Sequence, residues 1–148
     1  MSPPRTLLEM GFPARPESLC GMRERLGEAL EAIPCVAEEA RLVVLAVNEA
    51  CMNVIQHGYK GDPAGEIMLQ ILNNDGELEL RLRDFADPVD PTRVKPRALD
   101  RVRPGGLGTH FIREIMDDVS FRTPPEGRGN LLIMRKRLRR CEARHDAL

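Results

Sequence analysis

Between Pro16 and Ile33 the apolar residues Leu19, Met22, Leu26, Leu30 and Ile33 recur at spacings of three and four, which lays one stripe along an α-helix. Pro34 ends it. A longer helix is predicted over 36–57, where Val36, Ala40, Val43, Val47, Ala50 and Val54 mark one face and Gly58 supplies the stop. The chain then changes period. Residues 66–72 and 78–85 read as strands, alternating in the second, and the turn formers Asn73, Asn74, Asp75 and Gly76 between them predict a hairpin. Residues 5–12 fit a first strand. From 86 to 106 periodicity disappears, and Pro88, Pro91, Pro96 and Pro104 stand among mixed charges. A loop that long in a small domain is usually functional or disordered, and a mobile lid is expected here. A helix over about 107–118, a strand near 119–123, the turn PPEGRGN and a strand near 131–138 complete the chain. This order predicts one α+β domain over 1–148, a two-layer sandwich with helices on one face of a mostly antiparallel, mixed sheet.

Composition narrows the partners. The 148 residues are enough for a sizeable core. The 22 Lys and Arg nearly cancel the 23 Asp and Glu, leaving net −1, so no overall positive field favours nucleic acid or an anionic membrane. Cys20, Cys35, Cys51 and Cys141 are irregularly spaced with no C-x-x-C, and MSPPRTLLEM lacks a signal peptide's apolar centre, so a reduced cytoplasm is expected. Residues 42–47 form the longest strongly apolar run, far short of the roughly 20 residues of a membrane span.

Three stretches carry candidate chemistry. In LAVNEACMNVIQHGY, Glu49, Asn53 and His57 stand every fourth residue, on one helix stripe away from the apolar face. A solvated surface stripe is one reading. The other is a magnesium nucleotide, whose metal would take the amide oxygen as a hard ligand while the carboxylate orients or deprotonates a nucleophile. In LRDFADPVDPT, Asp84 ends a strand where the lid begins; it suits either a turn-opening role or acceptance of a hydrogen bond from an exocyclic amine. In PGGLGTHFIREIMDDV, Gly105, Gly106 and Gly108 permit close backbone approach at a helix start, either a hinge or an anion site. Neither the Walker spacing nor G-x-G-x-x-G is present.

Taken in order, E-A-C-M-N, D-F-A-D-P, G-G-L-G and R-G-N-L-L-I-M-R-K resemble the four successive nucleotide-binding boxes of the GHKL ATPase superfamily, over about residues 5–138. Within it, NEACMNVIQHGY and GGLGTHFIREIMDDV are most similar to the small bacterial anti-sigma factor serine/threonine kinases. The resemblance implies a Bergerat sandwich with ATP and Mg2+ as cofactors. It implies Asn53 as magnesium ligand, Glu49 as catalytic carboxylate and Asp84 as reader of the adenine amine. Ala86 would stand beside the adenine, and Gly105, Gly106, Leu107, Gly108 and Thr109 under the phosphates. It further implies an ATP-dependent kinase that phosphorylates an anti-anti-sigma (STAS-type) protein and sequesters a sigma factor, often as a homodimer, with no direct nucleic-acid or membrane contact. Two alternatives stand beside it. One is a nucleotide-gated binding switch that transfers nothing. The other is a detached histidine-kinase ATPase domain, weakened by the lack of a preceding helix bearing a phosphoacceptor His.

Ala86 departs from the family's glycine. If that position needs positive φ or close approach to adenine, Ala costs on the order of 1 kcal/mol or more and ATP affinity falls. Arg93, Lys95, Arg97, Arg101 and Arg103 are expected as solvated lid charge. His57 and His110 are expected to pack or support rather than catalyse, with no zinc set around them. RKRLRR is expected to fray into solvent at a strand end, and 139–148 to form a basic tail.

Overall fold

Alternation with a period of two builds the sheet. The computed structural model describes residues 3–35, 37–87 and 104–139, and of 104–109 only the backbone. Strands β1 (Arg5–Pro13), β2 (Glu66–Asn74), β3 (Glu77–Asp84), β4 (Asp118–Arg122) and β5 (Asn130–Arg137) form one sheet in the order β1-β2-β3-β5-β4. All four pairings are antiparallel, so the parallel pair expected of a mixed sheet does not occur among the described residues. The β2–β3 turn has Asp75 at φ 51° and Gly76 at φ 91°, the left-handed pair a two-residue hairpin requires. Asn73 Oδ1 accepts the Gly76 N–H at 2.9 Å to close it.

Register aligns the inward columns. Leu69, Leu82 and Leu132 face one another across three strands, as do Ile71, Leu80 and Met134, and all six are buried. Helices α1 (Leu19–Glu31), α2 (Ala37–Asn53) and α3 (Pro104–Ile115) cover that side. Helix α1 buries Leu19, Met22, Leu26 and Leu30 on the expected stripe, and α2 packs against both α1 and α3. Helix α2 buries Val43, Val47 and Ala50 as the pattern predicts, together with Ala46 and Cys51, while Ala40 and Val54 are half-buried. Desolvation pushes the buried Cys51 thiol up to about 12, which keeps it protonated and inert. Among the described residues no helix is long and apolar enough to cross a membrane.

Three boundaries differ from expectation. The second helix is not α-helical to His57: after Asn53 it widens into a π turn, Val54–Gly58. The third helix starts at Pro104, three residues early, because proline's fixed φ and missing N–H suit a helix's first position. Of the expected lid, residues 88–103 with their arginines and lysine lie outside the described residues, and 104–106 are helical. The basic end does not fray where it is described. Arg135 Nε bonds Glu79 Oε1 at 2.9 Å, and the Arg137 N–H reaches Asp117 Oδ2 at 2.7 Å. Lys136 and Leu138 are buried, and Arg139 bonds Glu39 through its backbone N–H and its guanidinium. Neighbouring acids and the inward column capture the stretch that charge alone assigned to solvent; residues 140–148 lie outside the described residues.

Candidate functional site

The inward column of β3 runs Leu78, Leu80, Leu82 and then Asp84, so the same alternation that buries three leucines buries a carboxylate at the end of the core. Asp84 is only 6% exposed. Its facing partner across β5 is Asn130, which continues the column of Leu132 and Met134. Asn130 Nδ2 donates to Asp84 Oδ1 at 2.9 Å, and the Ala86 N–H donates to the same oxygen at 3.0 Å. Burial pushes the Asp84 carboxyl up from its ordinary value, while the Asn130 amide and the Ala86 N–H pull against that shift. Oδ2 has no partner among the described residues. It offers one strong acceptor at a largely dry position.

The turn before Asn130 is equally constrained. Gly129 has φ +76°, and a Cβ there would fall 2.1 Å from the Asp84 carbonyl oxygen, so only glycine fits. Gly129 and Asn130 stand in the fourth box, R-G-N-L-L-I-M-R-K, but the sequence assigns neither a role in the site. Extending the period of two back from Met134 through Leu132 would have placed Asn130 beside Asp84; nothing in the sequence alone marks the close approach of Gly129.

Ala86 is buried and has no positive φ, so the backbone strain expected of alanine at this place is absent. Its methyl lies against the end of the long helix: a Cβ built on Gly58 would stand 3.5 Å from the Ala86 Cβ. The π turn therefore meets the end of β3. Glu49 and Asn53, four apart on α2, are both half-buried, with no side-chain hydrogen bond among the described residues. Asn48 beside them is engaged, its Oδ1 accepting from Arg23 Nη1 at 2.8 Å. The α-helix ends at Asn53, so His57 lies in the π turn and not on α2 with Glu49 and Asn53. His57 is exposed, as is His110, whose Nε2 stands 2.9 Å from Glu114 Oε1; neither packs in the core.

Helix α3 packs along α2. The N–H groups of Gly105, Gly106 and Leu107 lie in its first turn, where an α-helix provides no internal acceptors. Gly108 and Thr109 come a turn later, with their amides directed back at the first-turn carbonyls; the Thr109 side chain lies outside the described residues. The first turn thus presents donors and the positive end of the helix dipole to an anion. Among the described residues no group of three His, Cys, Asp or Glu could hold a metal. A cation here would need oxygens from a ligand, which fits the single amide oxygen of Asn53 with phosphate and water.

The model of the histidine kinase-like ATPase domain matches residues 12–136. The serine-protein kinase RsbW of Bacillus pumilus is 30% identical over 150 residues, covering 95% of this chain and 91% of that protein. RsbW of Listeria monocytogenes serotype 4a is 34% identical over 130 residues, 77% of this chain and 78% of that protein. RsbW of Bacillus subtilis is 29% identical over 120 residues, 76% and 75% of the two chains. Among solved structures, the RsbU and RsbW domains of a Mycobacterium tuberculosis protein superpose with a TM-score of 0.62 at 18% identity. That match covers 94% of this chain and 33% of the other, and it speaks to the fold.

Proposed function

Because the chain belongs to the histidine kinase-like ATPase family, and within it to the anti-sigma factor serine-protein kinases, we propose that it transfers the γ-phosphoryl group of ATP to a serine or threonine of an anti-anti-sigma (STAS-type) protein. We also propose that it sequesters a sigma factor, and that it works in the cytoplasm. The carrying observation is the buried Asp84, whose Oδ1 is held by Asn130 and Ala86 while Oδ2 remains for the adenine amine.

In this reading Asp84 selects the base and the first-turn amides of α3 bind phosphate oxygens. Asn53, through its amide oxygen, would hold magnesium, which would supply charge neutralisation at the transferring group. Glu49 orients the acceptor hydroxyl and takes its proton as the new O–P bond forms and the bond to the β-phosphate oxygen breaks, leaving ADP. Bringing the acceptor in line and excluding water carries most of the rate, so turnover without the partner protein is slow.

Mass spectrometry of a cognate anti-anti-sigma protein incubated with this chain and MgATP should show one added phosphate on Ser or Thr. Glu49→Gln should still bind ATP but transfer nothing, and Asn53→Ala should lose magnesium-dependent binding. Cognate partners that bind in an ATP-dependent manner yet remain unmodified would replace the kinase with a nucleotide-gated switch.

A further inference from the structure

The phenol of Tyr59 makes two hydrogen bonds at the rim of this site. It accepts the Phe85 N–H at 2.7 Å and donates to the Glu66 carbonyl at 2.7 Å. Strands β2 and β3 pair as far as Ile67 and Asp84, so Glu66 and Phe85 are the next facing residues. The hydroxyl stands between their backbone groups and ends the ladder one residue beyond Asp84. It links the two strands there in place of a direct bond.

Tyr59 is well fixed for such a task. Its N–H bonds the Val54 carbonyl at 2.8 Å across the π turn, and its carbonyl accepts the Asp62 N–H at 3.0 Å. Gly65 makes room for the ring, since a Cβ at that position would lie 2.6 Å from the aromatic carbons. The amide that the hydroxyl holds directly follows Asp84, and the next amide, Ala86, is the one bonded to Asp84 Oδ1. A rotation of the chain at Phe85 therefore moves both the backbone that carries the carboxylate and the donor that fixes one of its oxygens.

We propose that Tyr59 is a positioning residue for base selectivity, its hydroxyl holding the Asp84–Ala86 backbone so that the Asp84 carboxylate presents Oδ2 to an exocyclic amine. The inference rests on the reading of Asp84 as the adenine acceptor. Tyr59→Phe keeps the ring and deletes only the bridge. Gly65→Ala reaches the same place differently, by displacing the ring.

Calorimetry with MgATP and with magnesium inosine triphosphate, which carries a carbonyl where adenine carries the amine, separates aiming from general support. Wild type should prefer ATP by about tenfold or more. Tyr59→Phe should lower that preference by about three- to tenfold, with inosine triphosphate affinity kept within about twofold. Gly65→Ala should narrow the preference in the same sense. Thermal melting in parallel identifies the folded variants, and if Tyr59→Phe does not fold, Gly65→Ala decides. A folded variant in which both nucleotides weaken equally, or in which neither changes, overturns the positioning role. Wild type without any preference for ATP would instead overturn the reading of Asp84, and with it this inference, before any substitution is made.

Discussion

At Asp84, one buried carboxylate couples base recognition to pH. Burial raises its pKa above the ordinary 3.8. Among the described residues the donors to this carboxylate, Asn130 and Ala86, both occupy Oδ1, so a proton added to the group goes to Oδ2 and turns the oxygen that should accept the amine into a donor. Nucleotide affinity should therefore decline as pH falls through the raised midpoint. Stability of the nucleotide-free protein responds in the opposite sense. The unfolded chain ionises first, so this group's contribution falls as pH rises from the unfolded value to the folded one and is level above it. Asp84→Asn should weaken ATP binding about 10- to 150-fold and remove the acid dependence of what remains, both measurable by calorimetry across the acid range. Equal acid dependence in wild type and variant would remove Asp84 from the pocket.

Among the elements, β5 connects the helices that frame the site. Lys136 takes the inward position facing Leu78, where its Nζ donates to the carbonyl of Ile115, the last residue of α3, at 2.9 Å. The same ammonium lies 4.0 Å from Glu39 in the first turn of α2. One side chain thus meets α3 at its negative end and a carboxylate of α2, both favourable for a cation. Lys136→Met keeps most of the length and loses the charge, leaving a carbonyl and a nearly buried carboxylate with fewer donors. The expected cost is about 1 to 3 kcal/mol, read as a lower urea midpoint at unchanged slope. An unaltered midpoint would show that water replaces the ammonium without loss. A run of cations at the end of a chain looks solvated when the acids that meet it, Glu39, Glu79 and Asp117, lie far away in sequence, which is why this capture was not legible beforehand.

For the molecule as a whole, the nucleotide would link segments that are distant in sequence: the end of α2, the end of β3, the turn into β5 and the first turn of α3. A ligand that binds only when these are assembled stabilises the entire fold by mass action, by about 2.7 kcal/mol at a hundred times Kd. In a domain of this size that corresponds to a rise in Tm of roughly 5 to 11 °C. Thermal unfolding with MgATP should show it, with a much smaller rise for MgGTP at the same concentration. Equal shifts for the two nucleotides would separate phosphate binding from base recognition.

Much was legible from period and order. The helix stripe from Leu19 to Ile33, the hairpin closed by Asp75 and Gly76 and the α+β architecture follow from local spacing, because side-chain direction repeats every 3.6 residues in a helix and every two in a strand, whereas the four ordered motifs were legible through their resemblance to a known family. Glu49 and Asn53 could be chosen as candidates because they share one helix stripe away from the apolar face, and Asp84 because it sets a carboxylate at the end of a strand where the lid begins. Tertiary structure decided what depends on approach between distant segments. Gly129 pressing on the Asp84 carbonyl, Tyr59 bridging two strands, Ala86 seated against Gly58 without strain and Lys136 reaching two helices are contacts between segments that no local period encodes. The π turn belongs with them: it follows Asn53 and brings Gly58 against Ala86, a contact between distant segments that the α-helical period does not encode.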